Sequence, residues 1–314
     1  MIEWPELGQK VKASLCYKEN PGLCQEIWNA LPMESIQNHA SSSGSGIFAW
    51  VPLVSHATVQ TYENIKDAPV GRMRYLFTTG NKISIQYGPC SEDKMAPMLG
   101  MVDKEDVFKL PAIGAAIWNA FMLTKQPVHV RYIRLDKNDN PEPFHYHEPF
   151  LKSAEGASEA AIVLAQKIQK AAFANYANEN AGLKRIRTGG NKSSGAGGQY
   201  FSSWDTAAGM LRDYSQSMYQ YTQITRSGQL DAEQLKFLYK MQIPLYIGVM
   251  NNNGLDEHER LAAEVSVLLQ EPDTSLADIQ TVTDALCMYT QSLESWMWFH
   301  FPWGLGAAFR FPEK

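Results

Sequence analysis

The sequence is short of the features that announce many protein classes. Cysteine is scarce: four residues in 314 (Cys16, Cys24, Cys90, Cys287), scattered and without a Cys-x-x-Cys pair. That excludes a disulfide framework and a cysteine zinc ribbon, and reads as reduced thiols. Long apolar runs are missing too. No stretch of 18 apolar residues occurs, and "MIEWPELGQK" at the amino terminus has no apolar signal core, so a soluble cytoplasmic protein with no membrane partner is expected. Positive charge does not dominate: the formal net charge is -5 and the pI near 5.8, which argues against nucleic acid as a general partner. What is present is 45% hydrophobic and 19% charged, enough for one large domain or two ordinary ones.

A nucleotide fingerprint is also lacking, although one stretch invites the test. "RTGGNKSSGAGGQYFSSW" (187–204) is glycine-rich, with Arg185 just upstream and Lys192 inside it. A phosphate-cradling Walker loop needs Gly, four residues, then Gly-Lys-Ser/Thr after a strand. Here Asn191 follows Gly190, and Arg185 stands where the first glycine should be. The dinucleotide pattern fits at Gly195 and Gly197 and fails at Tyr200. The preceding segment has helical spacing. What remains is a basic loop, either a lid using Lys192 and backbone amides on an anionic ligand or a disordered linker.

The chain has two halves with different periods. Up to about residue 135 it reads as short strands: "KVKASLCY", "SIQNHASS", "GIFAWVPL", "MRYLFTTG", "KISIQYG", "DVFKL" and "VHVRYIRL". Two helices interrupt them: "PGLCQEIWNAL", capped by Asn20-Pro21 and ended by Pro32, and "PAIGAAIWNAFML". This half is expected to close into an antiparallel β-barrel (residues 1–136). Residues 137–152, "DKNDNPEPFHYHEPF" at their core, have linker composition. From Ser153 to residue 314 the spacing is helical and predicts a bundle, an α+β multidomain chain in all. Its last helix opens with Ser275 and Asp278 in capping-box-like positions and carries a stripe of Leu276, Ile279, Leu286, Tyr289, Leu293 and Trp296. The aromatic end, "SWMWFHFPWGLGAAFRF", is expected to pack on the bundle or on a second subunit, which makes a homodimer the expected assembly.

"ENPGLCQEIWNALPMESIQNHASSSGSGIFAWVP", continued by "YENIKDAPVGRMRYLF" and "KISIQYGP", resembles the bacterial cyclophilin-like family over roughly residues 8 to 135. A cyclophilin-like barrel followed by a helical bundle resembles the cucumopine and mikimopine synthases. That resemblance implies a condensation of L-histidine with 2-oxoglutarate by a Pictet–Spengler reaction. The amine adds to the ketone and loses water, an imidazole carbon attacks the iminium, and loss of a proton restores aromaticity. No reductant is needed, so no cofactor is expected, and the missing nucleotide fingerprint is consistent with this. A non-catalytic small-molecule-binding protein on the same fold is the alternative. Peptidyl-prolyl isomerisation is a third reading, weakened because "SIQNHASSSG" lacks the arginine of true cyclophilins.

Such chemistry needs an acid and a base, cations for three carboxylates, and exclusion of water from the iminium. His39, at the family's His-Ala pair, is the expected acid–base group, or else a buried histidine satisfied by backbone. Glu63 falls on an acidic position of the family pattern and is the expected base, or a solvated loop residue. Tyr87 and Tyr62 are expected to donate hydrogen bonds or flank the imidazole, unless they pack the barrel; Glu34 and Glu19 are held in reserve. Arg72 and Arg74 flank Met73 on a presumed strand and so share a face that suits carboxylates or simply faces solvent. Arg131 and Arg134, three apart, cannot both face inward on a strand. His145 and His147 with Glu148 lack a third ligand at motif spacing, so no metal is expected.

Overall fold

The computed structural model describes residues 1–41, 43–77, 80–136, 138–144, 153–188 and 200–300, with side chains of the helix beginning at 200 described from 208. The residues divide into two units. Unit 1 is Met1–His147 with Met297–Lys314, and unit 2 is Glu148–Trp296. The segment from Met297 groups with the first unit rather than with the helical second unit.

Unit 1 holds eleven strands among the described residues: β1 (Ile2–Trp4), β2 (Gln9–Val11), β3 (Ala13–Leu15), β4 (Met33–Ile36), β5 (Asn38–His39), β6 (Gly44–Trp50), β7 (Tyr62–Asn64), β8 (Arg72–Leu76), β9 (Lys82–Cys90), β10 (Met95–Val102) and β11 (His129–Tyr132). They form two antiparallel sheets, not the closed barrel expected. One has the order β2-β1-β11-β4. The other runs β3-β10-β8-β9-β6-β5, with β7 paired to β10. The ladders stop at corners where the chain itself steps from one sheet to the other, at Lys12 between β2 and β3 and at Gln37 between β4 and β5. Corners made by strands that change sheets are the orthogonal-packing solution to covering two inner faces. Gln37 is 1% exposed, and its side-chain amide oxygen Oε1 accepts from the Trp4 indole N–H at 2.8 Å.

Helix α1 (Pro21–Ala30) starts at Pro21 as expected, but Asn20 does not cap it through its side chain. The buried Asn20 amide accepts from Gln60 and Thr61 backbone N–H groups and donates to the carbonyls of Thr61 and Met98, tying the loop before β7 to β10. "DVFKL" is not a strand: Val107–Lys109 is a 3-10 turn leading into α2 (Leu110–Asn119), which ends in a π-helical turn, Ala120–Thr124. The run Val107–Thr124 has the length and mean hydropathy (1.4) of a membrane span, yet Leu110, Ile113, Ile117 and Phe121 are buried in unit 1. Gly114 permits the contact of α2 with β9. A Cβ there would stand 2.5 Å from the Tyr87 ring.

Unit 2 is helical: α3 (Glu159–Ala177), α4 (Ala181–Arg187), α5 (Tyr200–Arg226), α6 (Ala232–Asn252), α7 (Asp256–Gln270) and α8 (Leu276–His300), whose last residues from Met297 belong to unit 1. A capping box of Asp231 and Gln234 opens α6, which continues through Pro244 beyond its expected end. The Ser275–Asp278 cap of α8 forms as expected. Its stripe, however, is only part of the buried surface. Thr283, Asp284, Thr290, Gln291, Ser292, Glu294 and Ser295 are buried as well, so α8 is a central helix enclosed on nearly every side. Hydroxyls returned to the helix's own carbonyls (Thr283 to Ile279, Thr290 to Cys287, Ser292 to Tyr289) make that burial tolerable.

Candidate active site

Pairing sorts the side chains of the larger sheet onto two faces, because residues directly opposite in an antiparallel ladder point the same way. His39 pairs with Ile47, Ile47 with Ile85, Ile85 with Met73, and Ile83 with Ala49 and Tyr75. This is the apolar face. Asn38 pairs with Phe48, Phe48 with Ser84, Ser84 with Arg74, and Lys82 with Trp50, while Gln86 follows Ser84 by two. That second face is polar, and it is nevertheless buried: Arg74 and Gln86 are 2% exposed and Lys82 6%.

The sequence-predicted residues therefore fall into two groups. His39 and Tyr87 come together on the apolar face beside α2. The His39 Nδ1–H donates to the Ala40 carbonyl at 2.6 Å, since a carbonyl can only accept, which leaves Nε2 to accept from the Tyr87 hydroxyl at 2.7 Å. Trp118 stands edge-on to the imidazole at 4.7 Å, and the Phe121 ring lies 6.4 Å away. Burial lowers the His39 pKa below the ordinary histidine value, against the pull of the Ala40 carbonyl. Burial raises that of Tyr87, opposed by a hydrogen bond from Ser45. The pair is a neutral imidazole backed onto a protonated phenol.

Glu63, Arg72 and Arg74 gather on the polar face. Arg72 grips Glu63 as a fork, Nε–Oε2 2.7 Å and Nη2–Oε1 3.2 Å. Arg74 Nη2 donates to Gln86 Oε1 at 2.5 Å and to the Ile65 carbonyl at 3.2 Å, and Gln86 Nε2 in turn donates to Ala68. Burial lowers the Arg74 pKa, with Glu63 working the other way. Among the described residues Arg74 has no carboxylate within ion-pair distance, and its Nε has no hydrogen-bond partner. A cation this deeply buried without a carboxylate partner is costly, and here it is satisfied only by the neutral acceptors of Gln86 and Ile65. Tyr62, 43% exposed on β7, takes no part in this network.

Three residues that sequence reasoning passed over complete the face. Lys82 holds its ammonium 4.0 Å from the Trp50 ring centroid, 5.1 Å from Phe48 and 5.7 Å from Trp298. Ser84, buried beside Arg74, has an Oγ without a partner among the described residues. The alternation of "KISIQYG", polar at Lys82, Ser84 and Gln86 against Ile83, Ile85 and Tyr87, carried the signal. Lys125 lies elsewhere in unit 1. It donates to the carbonyls of Phe121 and Phe299, and burial pushes its pKa down to about 8.

The other candidates lie apart. Glu34 is held by Arg131 at 2.6 Å, and Arg134 donates to the carbonyls of Trp28 and Asn29. Lys192 with its glycine loop, the His145–His147–Glu148 group and the aromatic segment past His300 lie outside the described residues. Within the expected aromatic tail, Trp296, Met297 and Phe299 are buried. Among the described residues no cluster of His, Cys, Asp and Glu could hold a metal ion. Unit 2 carries two grooves, about 980 Å3 between α3 and α7 and about 630 Å3 between α6 and α7, neither lined by such an acid–base and cation set.

Among the described residues, two antiparallel sheets, one with a buried cationic face, and a helical second unit make an α+β fold. Among solved structures the chain is similar to McbB, whose structure is of a complex with tryptophan. The two are 27% identical, the match covers 99% of this chain and 99% of McbB, and the TM-score is 0.87. No protein-family model matches the sequence, and no curated protein does.

Proposed function

We propose that the chain catalyses a Pictet–Spengler-type condensation of an amino acid carrying a nucleophilic aromatic ring with a 2-oxo acid. The observation that carries this is the likeness to McbB over the whole of both chains. The buried, anion-seeking Arg74 supports a carboxylate-bearing substrate. The particular reading is L-histidine with 2-oxoglutarate, giving cucumopine or its diastereomer mikimopine. A second reading, favoured by the ligand of the McbB complex, takes L-tryptophan as the amine. Both amino acids place the amine two carbons from an aromatic carbon that can close a six-membered ring.

The amine nitrogen adds to the ketone carbon, and the carbinolamine loses water to give an iminium. The ring carbon then bonds to the iminium carbon, whose C=N electron pair returns to nitrogen. A base removes the ring proton. The net change is loss of one water, with no oxidation. Arg74 holds a substrate carboxylate. Glu63 shares its face and is the base we assign to ring-proton removal, with Arg72 fixing its orientation. His39 and Tyr87 form a separate imidazole–phenol pair on the opposite face of the sheet, away from a carboxylate held by Arg74, and no step is assigned to them. The dry face around Trp50 and Phe48 protects the iminium from hydrolysis. We place this chemistry in the cytoplasm, where the four unpaired thiols would stay reduced.

The test uses purified protein with 2-oxoglutarate and either L-histidine or L-tryptophan, without nucleotide, followed by mass spectrometry. The expected product weighs the sum of the reactants minus one water and resists borohydride, which would reduce an open imine. Absence of product above the enzyme-free control with both amines would overturn the reading in favour of a binding protein.

A further inference from the structure

The groove between α6 and α7 measures about 630 Å3, within the range of small-molecule sites, and every residue lining it belongs to unit 2. Phe237, Pro244, Leu269 and Pro272 supply its apolar wall, and the Phe237 side chain is 64% exposed. Phenyl and pyrrolidine surfaces of this kind suit a flat aromatic ring.

The polar groups of the groove are unequally served. The Lys236 ammonium is committed, donating to Glu233 Oε1 at 2.8 Å and to the Glu271 carbonyl at 3.0 Å. Lys240, one turn further along α6, forms no ion pair among the described residues. Tyr239 is 2% exposed, yet its hydroxyl has no hydrogen-bond partner among the described residues. Its ring stands edge-on to Tyr221, with 5.8 Å between centroids, and Ser266 on α7 spends its own hydroxyl on the Ala262 carbonyl at 3.0 Å. A buried phenol left unmet is costly. An ammonium can only donate, so the acceptor that serves both Lys240 and Tyr239 is an anion. Lys236 and Lys240 against Glu233 leave the lining with one positive charge, which matches a monoanion.

We infer that this groove is a second small-molecule site, which takes an aromatic monocarboxylate. The ring of the ligand packs against Phe237 and the prolines, and its carboxylate is held by the Lys240 ammonium and the Tyr239 hydroxyl. The site is independent of the reaction proposed for unit 1, and its test needs no turnover.

The probe is 3-phenylpropanoate, titrated into the full chain and followed by NMR. Its controls are propanoate, which lacks the ring, and 3-phenylpropanamide, which lacks the charge. The wild type is expected to bind the probe with a dissociation constant at or below about 1 mM, and each control at least about tenfold more weakly. Lys240→Met should weaken binding about tenfold and Tyr239→Phe about fivefold, the scale of a charged and of a neutral contact. Tyr239→Phe also separates a ligand group from a structural one. A hydroxyl that serves only the ligand can be removed without harm to the empty protein, so the ligand-free variant should melt no lower than the wild type. A lower melting temperature would make the hydroxyl structural and overturn the assignment. No preference over the controls, or unchanged affinity in both variants, would overturn it as well. Arg74→Met should leave binding intact. Loss of binding there, with Lys240→Met and Tyr239→Phe unaffected, would transfer the ligand to unit 1.

Discussion

Arg74 carries a testable asymmetry between function and stability. Removing a partner from a buried ion pair is usually destabilising, but Arg74 has no anion among the described residues to lose. Replacing it with methionine, of similar length and no charge, should lower kcat/KM for the condensation at least a hundredfold. The unfolding free energy should change by no more than about 2 kcal/mol, the cost of leaving Gln86 without its donor. Steady-state kinetics and chemical denaturation read the two numbers. A collapse of stability instead would make Arg74 a structural cation. His39 gives a second prediction. Its pKa is lowered, so the neutral form persists below the usual histidine range. Because His39 lies on the face opposite Arg74, His39→Gln should leave the acid limb of kcat/KM where it is and act only on stability, through the lost Tyr87 contact. An acid limb that moves or disappears in that variant would put His39 on the proton path. Both residues were legible in the sequence as candidates. What could not be read was the pairing register between strands, which sets Tyr87 beside His39 and its neighbour Gln86 beside Arg74.

At the scale of elements, α7 holds an unusual core residue. His258 is buried between Tyr214 and Tyr289, neither ring nitrogen has a partner among the described residues, and burial pushes its pKa down to about 3. The unfolded chain would titrate near 6.5, so this histidine must stay neutral in the fold. Its contribution is intact above pH 6.5 and is lost as pH falls towards 3, amounting to about 2 kcal/mol lost by pH 5. His258→Phe should therefore flatten the fall in melting temperature between pH 7 and pH 5. An equally steep fall in the variant would place the acid sensitivity elsewhere. Gly114 supplies the corresponding test in unit 1: Gly114→Ala drives a methyl into the Tyr87 ring and should cost about 1–3 kcal/mol by overpacking. Elements were legible where period and punctuation agreed, as in β6, β8, β9 and the Ser275 cap. They were misread where tertiary context overrode them. "DVFKL" has strand composition but only the length of a helix entry, α6 runs through Pro244, and the apolar stripe of α8 is only part of what it buries, because its hydroxyls find backbone acceptors.

For the whole molecule, the division into units predicts separable melting. Trp298 and Phe299 sit at the end of α8 but pack in unit 1, against Trp50 and Phe121 respectively. Substituting both by alanine should destabilise unit 1 by at least about 3–5 kcal/mol, the range for one large buried aromatic. Unit 2 should keep its helical circular dichroism transition. A single transition shifted as one block would show that the units do not melt separately. Polar and proline content is what makes residues 137–152 the expected linker. The sequence could not show the return of the last helix to the first unit, because contacts so distant in sequence leave no local period.

The corner at Gln37 bears on how such a chain can change over generations. One uninterrupted run, Met33 to His39, serves two sheets at once, with its pivot locked to Trp4. An insertion or deletion of a single codon within it would turn every side chain beyond the lesion to the opposite face, moving His39 out from beside Tyr87 and Asn38 into its place. No shift of one sheet can repair this without spoiling the other. Length differences between this chain and its descendants should therefore accumulate in the loop from Val51 to Thr61, leaving the seven residues from Met33 to His39 constant in number even where their identities drift.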